Sequence, residues 1–194
     1  ETEFVTGVAI DAVRGQALSG EFPLVDLGTG SGAIALALAR EVPQARVCAV
    51  ERSLAALEVA AANAVATLPP SRRPELFAGS WFDPLPSRLA GRLRLVVSNP
   101  PYVSEEEWPQ LPAVVRDYEP REALVSGPTG LEAIACVVLG GVDWLAPAGI
   151  LVCELAPSQA EAATGLARRA GYERVSIRRD WSGRERVLVA GRPT

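Results

Sequence analysis

Two short segments hold residue types whose spacing could do chemistry. The first is Val25–Asp26–Leu27–Gly28–Thr29–Gly30–Ser31–Gly32. Glycine at every second position lets the main chain take positive φ and lets a ligand approach the backbone closely. A helix beginning near Gly32 points free N–H groups and its positive end into the same turn. Such a turn favours an anion, or the carboxylate of an amino-acid-like ligand. The spacing is GxGxG rather than the GxGxxG of dinucleotide sites, and no Lys follows as in a P-loop. Nicotinamide and nucleoside triphosphate ligands therefore fit it poorly. Glu51 lies 19 residues beyond Gly32 at the end of the next apolar run, where an acidic side chain accepts hydrogen bonds from ribose hydroxyls. Together the loop and the acid describe a site for a nucleoside-containing ligand; the alternative is a plain strand-to-helix turn. Asp26 has two open roles, orienting the loop or reaching an amino group of the ligand.

The second segment is Leu95–Val96–Val97–Ser98–Asn99–Pro100–Pro101–Tyr102. Asn99 offers a side-chain oxygen as acceptor and an amide as donor. Pro100 keeps a carbonyl but has no N–H, and the paired prolines hold the acceptors in place before a substrate arrives. Tyr102 supplies a flat face for stacking, with a hydroxyl to be satisfied at the rim. A rigid, acceptor-rich turn of this kind suits a planar –NH2 group, either an amide or the exocyclic amine of a base. Holding both N–H bonds directs the nitrogen lone pair at an electrophile and stabilises positive charge developing on nitrogen. No imidazole is needed. The alternative is a double-proline turn with a purely structural role.

The elements that must position these residues alternate along the chain. Apolar runs at Leu24–Leu27, Val47–Val50, Leu93–Val97 and Ile150–Cys153 read as buried strands, with weaker ones at Glu75–Ala78, Arg174–Ile177 and Val187–Ala190. Helical stretches lie at Thr2–Val13, Ala33–Arg40, Ala55–Leu68, Thr129–Leu145 and Ser158–Ala170. This order predicts parallel βαβ units in an α/β three-layer sandwich. The last two strands are joined by Arg178–Arg186 without a helix, so a hairpin makes one of them antiparallel. Tyr102–Gly127, with Pro109, Pro112 and Pro120, reads as the longest irregular region, and long loops in compact domains are usually functional.

Composition narrows the chemistry further. The 194 residues include 19 basic and 23 acidic side chains, for a net charge of −4, and 48% are apolar. Every cation is Arg; there is no His, Lys or Met. Without His, a Ser–His–Asp triad, a Cys–His pair and a His-ligated zinc are all excluded, and no metal site is expected. Cys48, Cys136 and Cys153 form no CxxC pair; Cys48 and Cys153 lie in apolar runs and read as buried free thiols, which points to the cytoplasm. No run is long enough to span a bilayer. The acidity counts against nucleic acid as a direct substrate. Trp81 and Phe82 read from the residues alone as core, Glu105–Glu106–Glu107 as a solvated loop face, and Arg72–Arg73 and Arg178–Arg179 as solvated surface.

With these residues in view, the chain resembles the class I S-adenosylmethionine (SAM)-dependent methyltransferases, with their Rossmann-like fold. Within them it resembles the HemK-type glutamine methyltransferases that modify peptide-chain release factors. The matching residues are Glu1–Thr2–Glu3, Asp26–Gly32, Glu51, Gly79–Phe82, Asn99–Tyr102, Glu119–Pro120–Arg121, Gly130–Leu131 and Arg184–Val187. The resemblance implies a seven-stranded, mostly parallel sheet with its last strand antiparallel, SAM as cofactor, and a release factor as protein partner. It implies that Gly28, Thr29, Gly30, Ser31 and Gly32 lie against the methionine part of the cofactor, that Glu51 holds its ribose, and that Trp81 contacts it near the adenine. It places Asn99 between methyl donor and substrate amide, with Pro100, Pro101 and Tyr102 shaping the acceptor pocket. The implied reaction is methylation of the side-chain amide of the glutamine in a Gly-Gly-Gln tripeptide. An adenine amino-methyltransferase acting on DNA or RNA uses the same turn and is the alternative. The pattern departs at Ser80, where family members often have an acid. Family members also carry an N-terminal helical domain and an Arg-Pro pair ahead of the Glu-Thr-Glu segment, so residues 1–194 are expected to form the catalytic domain alone.

Overall fold

The computed structural model describes residues 2–194; Glu1, the first residue of the Glu1–Thr2–Glu3 match, lies outside the described residues. Seven strands form one sheet: β1 (Phe22–Leu27), β2 (Ala45–Glu51), β3 (Glu75–Ala78), β4 (Leu93–Ser98), β7 (Leu145–Glu154), β8 (Arg174–Arg179) and β9 (Glu185–Gly191). Their order across the sheet is β3-β2-β1-β4-β7-β9-β8. The first five are parallel in register, while β9 runs antiparallel to both β7 and β8. The α/β sandwich and the reversed last strand are thus as expected.

The central strands are buried on both faces, because helices cover each side. β1 and β4 bury nearly every residue, as all-parallel strands do. On one face α1 (Thr2–Arg14) buries Val5, Ala9 and Val13, and α2 (Ala33–Glu41) buries Ile34, Ala35, Leu38 and Ala39. These spacings of three and four residues trace a single helical stripe. They form one core cluster with Leu24, Leu95 and Val97. On the other face α6 (Glu132–Trp144) and α7 (Ala160–Arg169) pack with Leu27, Val96 and Leu151 in a second cluster. α3 (Leu54–Thr67) lies against β2 and β3 and buries only Ala60 and Ala64.

Three segments differ from the sequence expectation. Strand β7 begins five residues earlier than Ile150, running through Pro147, Ala148 and Gly149 with a register shift opposite Leu93 and Leu95; those residues imitate a turn but form a bulge. Tyr102–Gly127 is less irregular than it reads. It contains α4 (Ala113–Tyr118), α5 (Arg121–Leu124) and a two-stranded parallel pair, β5 (Val103–Ser104) with β6 (Val125–Gly127). Finally, Arg72 and Arg73 are not mere solvated surface. Arg72 donates to the carbonyls of Ala39 and Arg40 at the end of α2, and Arg73 to those of Leu68 and Val65 at the end of α3. Cations at helix C-termini satisfy otherwise orphaned carbonyls.

Candidate active site

The chain runs from β1 toward one edge through β2 and β3, then returns to place β4 on the opposite side of β1. The carboxyl ends of β1 and β4 therefore flank the topological switch point, where open α/β sheets bind ligands. Ser98 locks this position by donating from its hydroxyl to the Leu27 carbonyl at 2.8 Å. The glycine loop follows β1 and the Asn99 turn follows β4.

A cleft of about 300 Å³ opens here. Gly28 and Gly30 line one side, Glu51 and Trp81 another, and Asn99 and Pro101 a third. Gly28, Gly30 and Gly32 have φ of 69°, 56° and 89°. A Cβ on Gly28 or Gly30 would meet no protein atom within 4 Å, so at these two positions the bare backbone leaves room for something other than protein. Gly32 caps α2 in the left-handed conformation, and a Cβ there would press on the Ala60 side chain at 3.3 Å. The loop is pinned from both ends: the N–H groups of Gly28 and Thr29 donate to the Val50 carbonyl, and Asn63 donates to the Ser31 carbonyl.

Asp26 is fully buried, and its geometry favours the loop-orienting role. Oδ2 accepts from the Thr29 hydroxyl at 2.6 Å and from the Ala35 N–H at 3.1 Å. Burial pushes its carboxyl up to about 6, against the lowering effect of those bonds. Oδ1 has no partner among the described residues. Glu51 holds the loop from the other strand: Oε2 accepts from the Gly30 N–H at 2.9 Å and Oε1 from the Ser53 N–H at 2.8 Å. Each oxygen keeps a second lone pair for a ligand hydroxyl.

Trp81 borders the cleft and also packs on the core, so it is not core alone. Its φ of 49° is one of two positive values among non-glycine residues in the described chain. Backbone in that region is strained by about 1–2 kcal/mol and is found preferentially at functional sites. Phe82, by contrast, is core, stacked on Trp144 at 5.8 Å.

Within the Asn99–Tyr102 turn the structure divides the residues. Asn99 and Pro101 face the cleft; Pro100 is buried and Tyr102 is half-buried outside the cleft wall. Asn99 donates from Nδ2 to the Thr2 hydroxyl at 3.3 Å, which engages the donor end of the amide. The Tyr102 hydroxyl is not at a rim: it donates to Oε1 of the buried Glu154 at 3.3 Å. Thr29, Ser31 and Gly32 shape the loop without bordering the cleft. On the outer wall, within the loop expected to be functional, Pro120 was singled out from the sequence but Arg52, Glu122 and Ala123 were not. Arg52 donates to the Glu122 carbonyl at 3.0 Å, and Pro120, Glu122 and Ala123 close that side. No local pattern brings Arg52 beside α5, 70 residues away. Glu107 is exposed as expected, yet it accepts from the Ser104 N–H and hydroxyl, which hold its carboxyl below the usual range. No group of acidic residues, His and Cys able to hold a metal occurs among the described residues.

A switch-point cleft with an acid on the second strand, a glycine loop on the first and a reversed final strand defines a class of α/β enzymes that bind a nucleoside-containing cofactor. Residues 15–114, just over half the chain, match the methyltransferase small domain family, and the chain belongs to that family. Curated relatives include release factor glutamine methyltransferases from Rhodopirellula baltica and Gloeobacter violaceus. Each is 41% identical over 190 residues, covering 97% of this chain but 63% and 64% of their own lengths. The chain thus spans a little under two thirds of these relatives. Among solved structures, a Pyrococcus furiosus methyltransferase superposes with a TM-score of 0.66 at 17% identity, over 97% of this chain and 83% of its own. A Synechocystis magnesium protoporphyrin IX methyltransferase with bound SAM gives 0.60 at 20% identity, over 98% and 78%. At such identities the likeness is one of fold.

Proposed function

We propose that this chain transfers a methyl group from SAM to the side-chain amide nitrogen of a protein glutamine, the Gly-Gly-Gln glutamine of a peptide-chain release factor. The observation that carries the reading is the meeting of Asn99 with Gly28, Gly30 and Glu51 around one cleft. The relatives with release factor glutamine methyltransferase activity in their names support the substrate.

The residues present fit the cofactor. Gly28 and Gly30 leave a cradle a Cβ would fill, Glu51 has lone pairs for two ribose hydroxyls, and Trp81 offers an aromatic wall. SAM supplies, when bound, a methyl carbon made electrophilic by its sulfonium. The protein then has to turn a poor nucleophile toward that carbon. An amide nitrogen shares its lone pair with the adjacent carbonyl. Accepting its two N–H bonds at Asn99 Oδ1 and the Pro100 carbonyl would orient the nitrogen and stabilise the positive charge it gains as the C–N bond forms and the sulfonium C–S bond breaks, one N–H proton then leaving to water. Because both acceptors sit on a proline-stiffened turn, little reorganisation is left for the reacting complex.

The test is to offer methyl-labelled SAM to the chain with a release factor and, separately, with DNA and RNA. Label on the release factor, located at the glutamine, is the expected result. Label on an adenine amine would replace this reading with base methylation.

A further inference from the structure

The acceptor turn is held from below by a side chain that does not border the cleft. Gln159, 7% exposed, ends the short helical turn Pro157–Gln159 that follows β7. Its Nε2 donates to the carbonyl of Tyr102 at 2.8 Å and to that of Gly130 at 3.0 Å, while Oε1 accepts from the Ala156 N–H at 3.0 Å. Two carbonyls on one side and an N–H on the other fix which way the amide points. Gly130 completes the junction. It has φ of 79°, and a Cβ there would lie 2.6 Å from the Tyr102 oxygen and 2.8 Å from Gln159 Nε2. Only glycine lets the three loops meet at this one amide.

We propose that Gln159 is a positioning residue for the acceptor turn. The Tyr102 carbonyl that it holds lies two residues beyond Pro100. Pro100 and Pro101 both have fixed φ, so the segment between behaves as a stiff lever. Anchoring Tyr102 therefore sets where the Pro100 carbonyl and Asn99 Oδ1 stand relative to a substrate nitrogen. The hydroxyl of Tyr102 on Glu154 restrains the same residue from the side. This role rests on the methyl-transfer reading above, because it is the placement of those acceptors that Gln159 controls.

Two variants of the full chain test it. Gln159→Met keeps length and apolar packing and loses both donated bonds. Gln159→Glu puts an oxygen opposite two carbonyls; only its protonated form can donate, and to one of them. With a Gly-Gly-Gln peptide as acceptor, Gln159→Met is expected to lower kcat about 10- to 100-fold, the scale of a misplacement near 1 Å. SAM affinity should stay within about threefold and KM for SAM should follow it. For Gln159→Glu, kcat relative to the parent chain should fall as pH rises and the donating proton is lost. Amide hydrogen exchange at residues 102–104 should quicken in both variants, with the sheet unchanged. If kcat of Gln159→Met stays within threefold, or exchange at 102–104 is unaltered, the proposal is overturned. Should the parent chain itself methylate no glutamine, the functional reading fails instead, and the exchange comparison, which needs no activity, still decides whether Gln159 holds the turn.

Discussion

At the scale of single residues, the site combines one acceptor that faces the cleft with one carboxyl that does not. Asn99→Ala removes the acceptor and leaves Gly28, Gly30 and Glu51 in place. The expected result is a loss of methyl transfer of about 100-fold or more, with SAM affinity by calorimetry unchanged within about threefold. Asp26 behaves differently because it is buried with a raised carboxyl. Its folded value of about 6 lies above the unfolded 3.8, so the folded state binds the proton more tightly. The stability this contributes is present below the unfolded value and is lost as pH rises through the folded one. Asp26→Asn, whose oxygen can still accept from Thr29 and Ala35, removes that dependence. Unfolding curves between pH 4 and 7 should show the variant gaining on the parent chain by about 2 kcal/mol as pH rises; a pH-independent difference would contradict this account. The places of Asn99 and Glu51 at the cleft were legible from spacing, since each ends an apolar run. The bond from the Tyr102 hydroxyl was not, because its buried partner Glu154 comes from a strand 52 residues away.

At the scale of elements, the glycine loop suits the proposed cofactor because its conformation and its emptiness coincide. Gly30→Ala forces a Cβ into φ of 56° and into the cleft. The expected cost is about 1 kcal/mol of stability together with at least a tenfold loss of SAM affinity. Gly32→Ala meets Ala60 instead, so it should destabilise with a smaller effect on binding; denaturant midpoints and calorimetry on both variants separate the two. Strand and helix positions could be read from the sequence because each core strand is a continuous apolar run and each helix repeats small apolar residues every three or four positions. What escaped were features made by distant partners. The bulge in β7 exists through pairing with β4, and Arg72 caps α2 by donating to the Ala39 carbonyl 33 residues before it. In the segment between Tyr102 and Gly127, prolines that read as breakers instead precede the first turns of α4 and α5, a position proline tolerates.

At the scale of the whole molecule, two apolar clusters sandwich one sheet, and the cysteines report on their integrity. Cys48 and Cys153 are buried and Cys136 is exposed. Burial pushes the Cys48 thiol up to about 11 and that of Cys153 higher still, so neither presents a reactive thiolate near neutral pH. A thiol reagent should modify one cysteine of the native chain rapidly and the other two only on unfolding. Rapid labelling of all three would mean that the packing against α6 and α7 is not as described. No helix among the described residues is long and apolar enough to cross a membrane. The proposal rests on the switch point between β1 and β4, where the glycine loop and the Asn99 turn share one cleft. The most direct measurement is the structure of the chain with S-adenosylhomocysteine and a Gly-Gly-Gln peptide. The account predicts the glutamine nitrogen about 3 Å from both Asn99 Oδ1 and the Pro100 carbonyl, with the sulfur on its opposite side. A glutamine amide held by other groups, with Asn99 turned away from it, would contradict the account.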